Sequence, residues 1–94
     1  MSTPREPRVR HLFHEIIADE LWVARSLGHA KALWSEAHDA PLEFTTWERV
    51  PDKRRVASTA GPTEPKPRTL SAGTWANLFE MGPGRALEDG WRFA

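Results

Sequence analysis

The chain contains no cysteine, so neither a disulfide nor a thiolate metal site can support its fold. That fits a reducing compartment. No apolar run approaches the roughly 20 residues that a membrane-spanning helix needs, and the first residues lack the apolar core of a signal peptide. The expected location is therefore cytoplasmic, with no membrane partner. Nor is there a surplus of charge. The 13 basic and 13 acidic residues give a formal net charge of +0, whereas a general polyanion binder usually carries a basic excess. The balance leaves only a local patch for nucleic acid, and it leaves little repulsion against self-association. Tyrosine is missing as well, while there are five tryptophans, so with 39% hydrophobic residues the indoles must supply much of the core. At 94 residues the chain is one domain, small enough to bury only about 60–65% of its unfolded surface.

The constellations that carry chemistry are also missing. Ser26, Ser35, Ser58 and Ser71 are the serines to consider as nucleophiles, and none sits in a G-x-S-x-G elbow or an S-x-x-K setting. Gly82-Pro83-Gly84 has neither the spacing nor the lysine of a phosphate loop. His11, His14 and Glu15 lie within one helical turn, but they match neither H-E-x-x-H nor the Glu-x-x-His of di-iron bundles. The expectation is a protein that is not an enzyme, with no cofactor and no metal.

What is present is a long apolar pattern between Arg8 and His38. Placed at about 100° per residue, Val9, Leu12, Phe13, Ile16, Ile17, Val23, Ala24, Leu27, Ala30 and Trp34 fall in one stripe. The spacing predicts a helix over 8–38, preceded by a frayed arm at 1–6 and stopped by Pro41, which disfavours helix at Ala40. Such a helix would be roughly 46 Å long, against a radius of gyration of about 13 Å for a domain of this size. It must therefore bend, most simply at Gly28, or pack its overhang on a second copy. Glu20 projects into the stripe and calls for an arginine partner. Trp22 projects away from it, on the side of His11, Arg25 and His29. Trp22, Arg25, His29 and His11 are therefore the expected contact face for a partner protein, because tryptophan and arginine are enriched at interface hot spots.

After Pro41 the period changes. Leu42, Phe44, Thr46 and Val50 alternate with polar positions, Pro51-Asp52-Lys53 reads as a turn, and 54–59 as a return strand, so a β-hairpin is expected over 42–59. Residues 61–68 hold three prolines and read as an extended linker. Trp75, Leu78 and Phe79 mark a short helix within 71–81, capped by Thr74. Asp89-Gly90 ahead of Trp91 and Phe93 suggests a C-terminal strand or hairpin over 86–94, beside residues 42–50.

These elements predict an α+β fold: a long N-terminal amphipathic helix, a small antiparallel sheet and one short second helix. The expected function is a small protein–protein interaction module, such as an inhibitor, adaptor or assembly subunit of the kind phage- or plasmid-type accessory proteins supply. A homodimer through the long helix is the other protein contact to expect. The alternative is nucleic-acid binding at the hairpin tip, through Lys53, Arg54, Arg55, Trp47 and Arg49, where cations stand beside an aromatic ring.

Overall fold

In the computed structural model, which describes residues 9–58, 68–78, 82–88 and 90–94, no long N-terminal helix forms. The stretch expected to hold it is a β-hairpin followed by a shorter helix. Strand β1 (His11–Glu15) turns through Ile16–Asp19 into β2 (Glu20–Ala24), and the two pair antiparallel from His11↔Ala24 to Glu15↔Glu20. Helix α1 (Leu27–His38) follows. Gly28 does not bend a helix; it lies in the first turn of α1, behind the Ser26 cap, whose hydroxyl accepts from the His29 amide at 3.1 Å. The helix ends at Asp39, which adopts the left-handed conformation ahead of Pro41.

The helical period was misleading because β1 and β2 are covered on both faces. Side chains alternate along a strand. Leu12, Leu21 and Val23 enter one core, whereas Phe13, Trp22 and Ala24 enter a second on the opposite face. Every residue of β2 is therefore buried, and the polar alternation that identifies a half-exposed strand disappears.

A short 3-10 turn, Leu42–Phe44, leads to β3 (Trp47–Arg49), and then come β4 (Arg55–Ser58), β5 (Arg68–Ser71), α2 (Ala72–Ala76), β6 (Gly84–Ala86) and β7 (Trp91–Phe93). Among the described residues these seven strands form two antiparallel sheets, a four-stranded one in the order β3-β1-β2-β6 and a three-stranded one in the order β5-β4-β7. The expected hairpin over 42–59 is not made. Its two strands belong to different sheets, and Val50, between them, is buried in the core. The C-terminal strand likewise pairs with β4 rather than with residues 42–50. The short second helix is capped by Ser71, not Thr74. The expected arm at 1–6 and most of the 61–68 linker fall outside the described residues.

The layers follow from the two cores. On one side of the four-stranded sheet, α1 packs Ala30 and Trp34 against Phe13, Trp22 and Ala24. On the other side, α2 and the three-stranded sheet close over Leu12, Leu21 and Val23 with Val56, Trp75 and Ala76. The Trp75 indole N–H donates to the Val56 carbonyl at 2.9 Å, so the largest side chain of that core leaves no polar atom unpaired. Asn77 locks α2 to the start of β1, accepting from the Arg10 amide and donating to the Arg10 carbonyl, both at 2.9 Å. Among the described residues no helix is long and apolar enough to cross a membrane.

Candidate functional site

One end of the four-stranded sheet combines a rigid polar base with an apolar surface. The β1–β2 turn carries Ile-Ile-Ala-Asp, with no glycine, proline or asparagine to favour a reversal. A carboxylate substitutes for them. Glu15, only 1% exposed, accepts the amides of Ala18 at 2.7 Å, Ile17 at 3.2 Å and Thr46 at 2.9 Å. The Ile16 amide then donates to the Thr46 carbonyl at 2.7 Å. The turn and the approach to β3 are thus fixed to each other. On this base stand Ile16, Ile17 (69% exposed) and Phe44 (75% exposed), three of the large apolar side chains that the described chain leaves in water.

Directly across the strand pair from Glu15 lies Glu20, also buried. Two carboxylates in that relation repel unless each is neutralised by other groups. Glu15 is held by backbone amides. Glu20 accepts from the Trp22 indole at 3.2 Å and stands 3.4 Å from His38 Nε2 and 3.6 Å from Arg85. The arginine partner that the sequence called for is therefore Arg85 of β6. On the opposite face, His14 Nε2 meets Asp19 at 2.8 Å, and its ring packs edge-on against Trp91 and Phe93 of β7. Its Nδ1 lies 3.5 Å from Glu48 but has no hydrogen bond, because the contact lacks the alignment for one.

At the other end of the sheet, two polar side chains converge on Asp52. Its carboxylate lies 3.0 Å from His11 Nδ1 and accepts from Arg49 at 3.2 Å; Arg49 is in turn 2.9 Å from His11 Nδ1. Nδ1 cannot donate to the carboxylate and also accept from the guanidinium. The Nδ1–H tautomer gives both His11 and Arg49 a bond to Asp52, and that network assigns it. The hydrogen bond from His11 is the chief reason the Asp52 carboxyl titrates below its ordinary 3.8; the His11 and Arg49 charges and the Arg49 bond add to it, and burial opposes it. A depressed carboxylate contributes stability above its unfolded value and loses that contribution as pH falls through the folded one. Asp52→Asn should therefore lower the thermal midpoint at neutral pH, with the difference from wild type closing as pH drops below 3.8. Melting curves across that range check it; a constant difference would mean that Asp52 acts through packing instead.

The expected contact face is not assembled. Trp22 is 3% exposed and lies under α1, Arg25 is exposed ahead of the helix, His29 is half-buried and accepts from the Arg25 amide, and His11 belongs to the Asp52 network. The residues expected to hold nucleic acid are also divided. Trp47 is half-buried, with its indole N–H on Thr45, and Arg49 is engaged by Asp52, whereas Lys53, Arg54 and Arg55 lead into the other sheet. Among the described residues no group of three His, Asp or Glu side chains is placed to hold a metal ion. Ile17 and Phe44 were missed as surface residues because each fitted an apolar period. The available signal was Asp19, a residue that tolerates the positive φ of 58° it adopts at the turn.

The architecture defines a three-layer, strand-dominated α+β domain with an apolar surface at one end. No family model, curated protein or solved structure matches the chain.

Proposed function

We propose that the chain is a protein–protein interaction module whose contact surface is the Ile16/Ile17/Phe44 end of the four-stranded sheet. The observation that carries this reading is the exposure of those large apolar side chains on a base that Glu15 holds rigid. Clustered exposed apolar groups mark interaction sites more often than isolated ones do, and a preorganised base lowers the ordering cost of binding. Around them stand the carboxylates Asp19 and Glu43, so the complementary surface is apolar with a basic rim. An inhibitor, adaptor or assembly subunit would use such a surface.

The test is the double variant Ile17→Ser/Phe44→Ser, used as bait beside the wild type in nuclease-treated host extract. The expected result is one protein recovered near stoichiometry by the wild type and lost by the variant, with the thermal midpoint changed by only a few degrees, since exposed substitutions cost within about 0.5 kcal/mol. Equal recovery by both baits would place the contact elsewhere.

A further inference from the structure

Strand β3 is an edge of the four-stranded sheet, and its register shows which backbone groups face outward. The Val50 amide donates to the Leu12 carbonyl at 2.9 Å, and the Ile16 amide donates to the Thr46 carbonyl at 2.7 Å. These bonds extend the pairing of Phe13↔Arg49 to Glu15↔Trp47 at either end. Hydrogen-bonded and non-hydrogen-bonded pairs alternate along an antiparallel ladder. Thr46, Glu48 and Val50 therefore turn their backbone groups towards β1, while Trp47 and Arg49 turn theirs to the free edge. Among the described residues nothing bonds to the amides or carbonyls of those two. The extended backbone also begins before the strand, since Thr45 has φ −106° and ψ 152°.

The other edges are blunted. β5 and β7 carry Arg68 and Arg92, neither with a carboxylate partner among the described residues, and exposed charge protects an edge from pairing. β6 starts at Gly84, with φ 133°, and is followed by Leu87, with φ 55°, so its extended run is short. On β3 the arginine is neutralised, because Asp52 holds Arg49 at 3.2 Å. What is left is acidic. The Glu48 side chain is 57% exposed, and its contact with His14 lacks hydrogen-bond alignment. On the opposite face of the strand, the Trp47 ring is half-buried and fixed by its bond to the Thr45 hydroxyl at 2.9 Å. Phe44, at the apolar end, comes immediately before Thr45. A second copy pairing through this edge would bring two sets of the Asp19, Glu43 and Glu48 carboxylates to one interface, and like charges oppose that occupant.

We infer that β3 accepts an extended peptide segment of a partner protein as an additional antiparallel strand. Main-chain bonds to Trp47 and Arg49 supply affinity, and alternating side chains supply specificity. The peptide residues opposite Trp47 and Arg49 are apolar: one packs on the exposed part of the indole, the other on the aliphatic stem of the arginine. The residue between them is basic. It stands opposite Glu48 at a non-hydrogen-bonded position, where cross-strand side chains come closest. The antiparallel direction carries the C-terminal part of the peptide past Thr45 to Phe44. The inference rests on the apolar end being a partner contact, and it gives that partner a chemistry, an extended segment in which apolar and basic residues alternate.

The experiment is an NMR titration of the isotope-labelled full chain with a short peptide of alternating valine and arginine. The amide resonances of Phe44, Trp47 and Arg49 should shift, and the Trp47 and Arg49 amides should gain protection from hydrogen exchange. N-methylation of the valines blocks the peptide amides that face β3 and should weaken binding at least about tenfold, the order expected when several main-chain bonds are lost. N-methylation of the arginines, whose amides face away, should leave it nearly unchanged. Glu48→Lys should abolish binding of this probe and transfer it to a peptide of alternating valine and glutamate. No binding, shifts confined to other surfaces, or equal weakening by both methylations would overturn the added strand. Equal weakening by both methylations together with loss on Phe44→Ser would overturn the strand and keep the apolar end as a contact. The expected methylation pattern with binding indifferent to Phe44→Ser would support the strand and remove the apolar end from the contact.

Discussion

Replacing Trp22 with alanine should cost about 3–5 kcal/mol of stability and lower the thermal midpoint by roughly 12–40 °C, at about 4–8 °C per kcal/mol for a domain of this size. The indole is opposite Phe13 across the β1–β2 pair, and α1 closes over it with Ala30 and Trp34. Its N–H also answers one oxygen of Glu20. Truncation therefore opens a cavity beneath the helix and deprives a buried carboxylate of one partner. Trp22→Phe keeps most of the packing and removes the hydrogen bond, so it should cost about 1–2 kcal/mol. Urea unfolding of both variants measures the difference. An unchanged midpoint for Trp22→Ala would restore the exposed position that a continuous helix gives this residue, and would contradict the hairpin.

The second large effect is expected at Glu15. Its carboxylate accepts three backbone amides, and charge-assisted bonds are the stronger kind. Glu15→Ala should cost about 2–3 kcal/mol, less than three such bonds would suggest, because water can reach the exposed turn once the carboxylate is gone. Glu15→Gln should fall between that value and wild type, since it keeps one oxygen but sets a donor among donors. Hydrogen exchange localises the effect: the amides of Ile17, Ala18 and Thr46 should lose protection first, while those of Leu12 and Val23 change only with global stability. Uniform loss at all of these positions would mean that Glu15 supports the core as a whole, not the turn.

These two residues also show why part of the fold was legible in the sequence and part was not. The helical pattern over Leu27 to Trp34 is real, and it belongs to α1. Upstream of it, the same spacing arises from a hairpin whose odd and even positions enter different cores, so that apolar residues occur on both faces and imitate a wide helical stripe. The reversal between the strands escaped notice because Glu15 stabilises it from outside the turn, through hydrogen bonds to the Ile17 and Ala18 amides and to Thr46 alongside. The break after Val50 had a local signal, Pro51-Asp52-Lys53, but a turn does not say whether its flanking strands pair with each other. Here the chain crosses from one sheet to the other at that point.

The candidate surfaces were less legible still. Exposure of Ile17 and Phe44 depends on which segments cover them, and the sequence assigned both to buried periods. Lys53, Arg54 and Arg55 were visible as a basic run, but the register divides it, with Arg55 on the outer face of the three-stranded sheet beside Arg92 and Arg54 stacked on the core-facing Phe93. Trp22, in contrast, drew attention for being tryptophan, and its place in the structure is the core that such a residue usually fills.

The proposed contact is between a partner protein and the apolar end of the four-stranded sheet. Its most direct test is site-specific photo-crosslinking in nuclease-treated host extract, with a photoreactive phenylalanine analogue at position 17 in one sample and at position 29 in another. A discrete protein adduct is expected from position 17 and none from position 29, near the start of α1. An adduct from position 29 with none from position 17 would contradict it and return the contact face to the Arg25/His29 side.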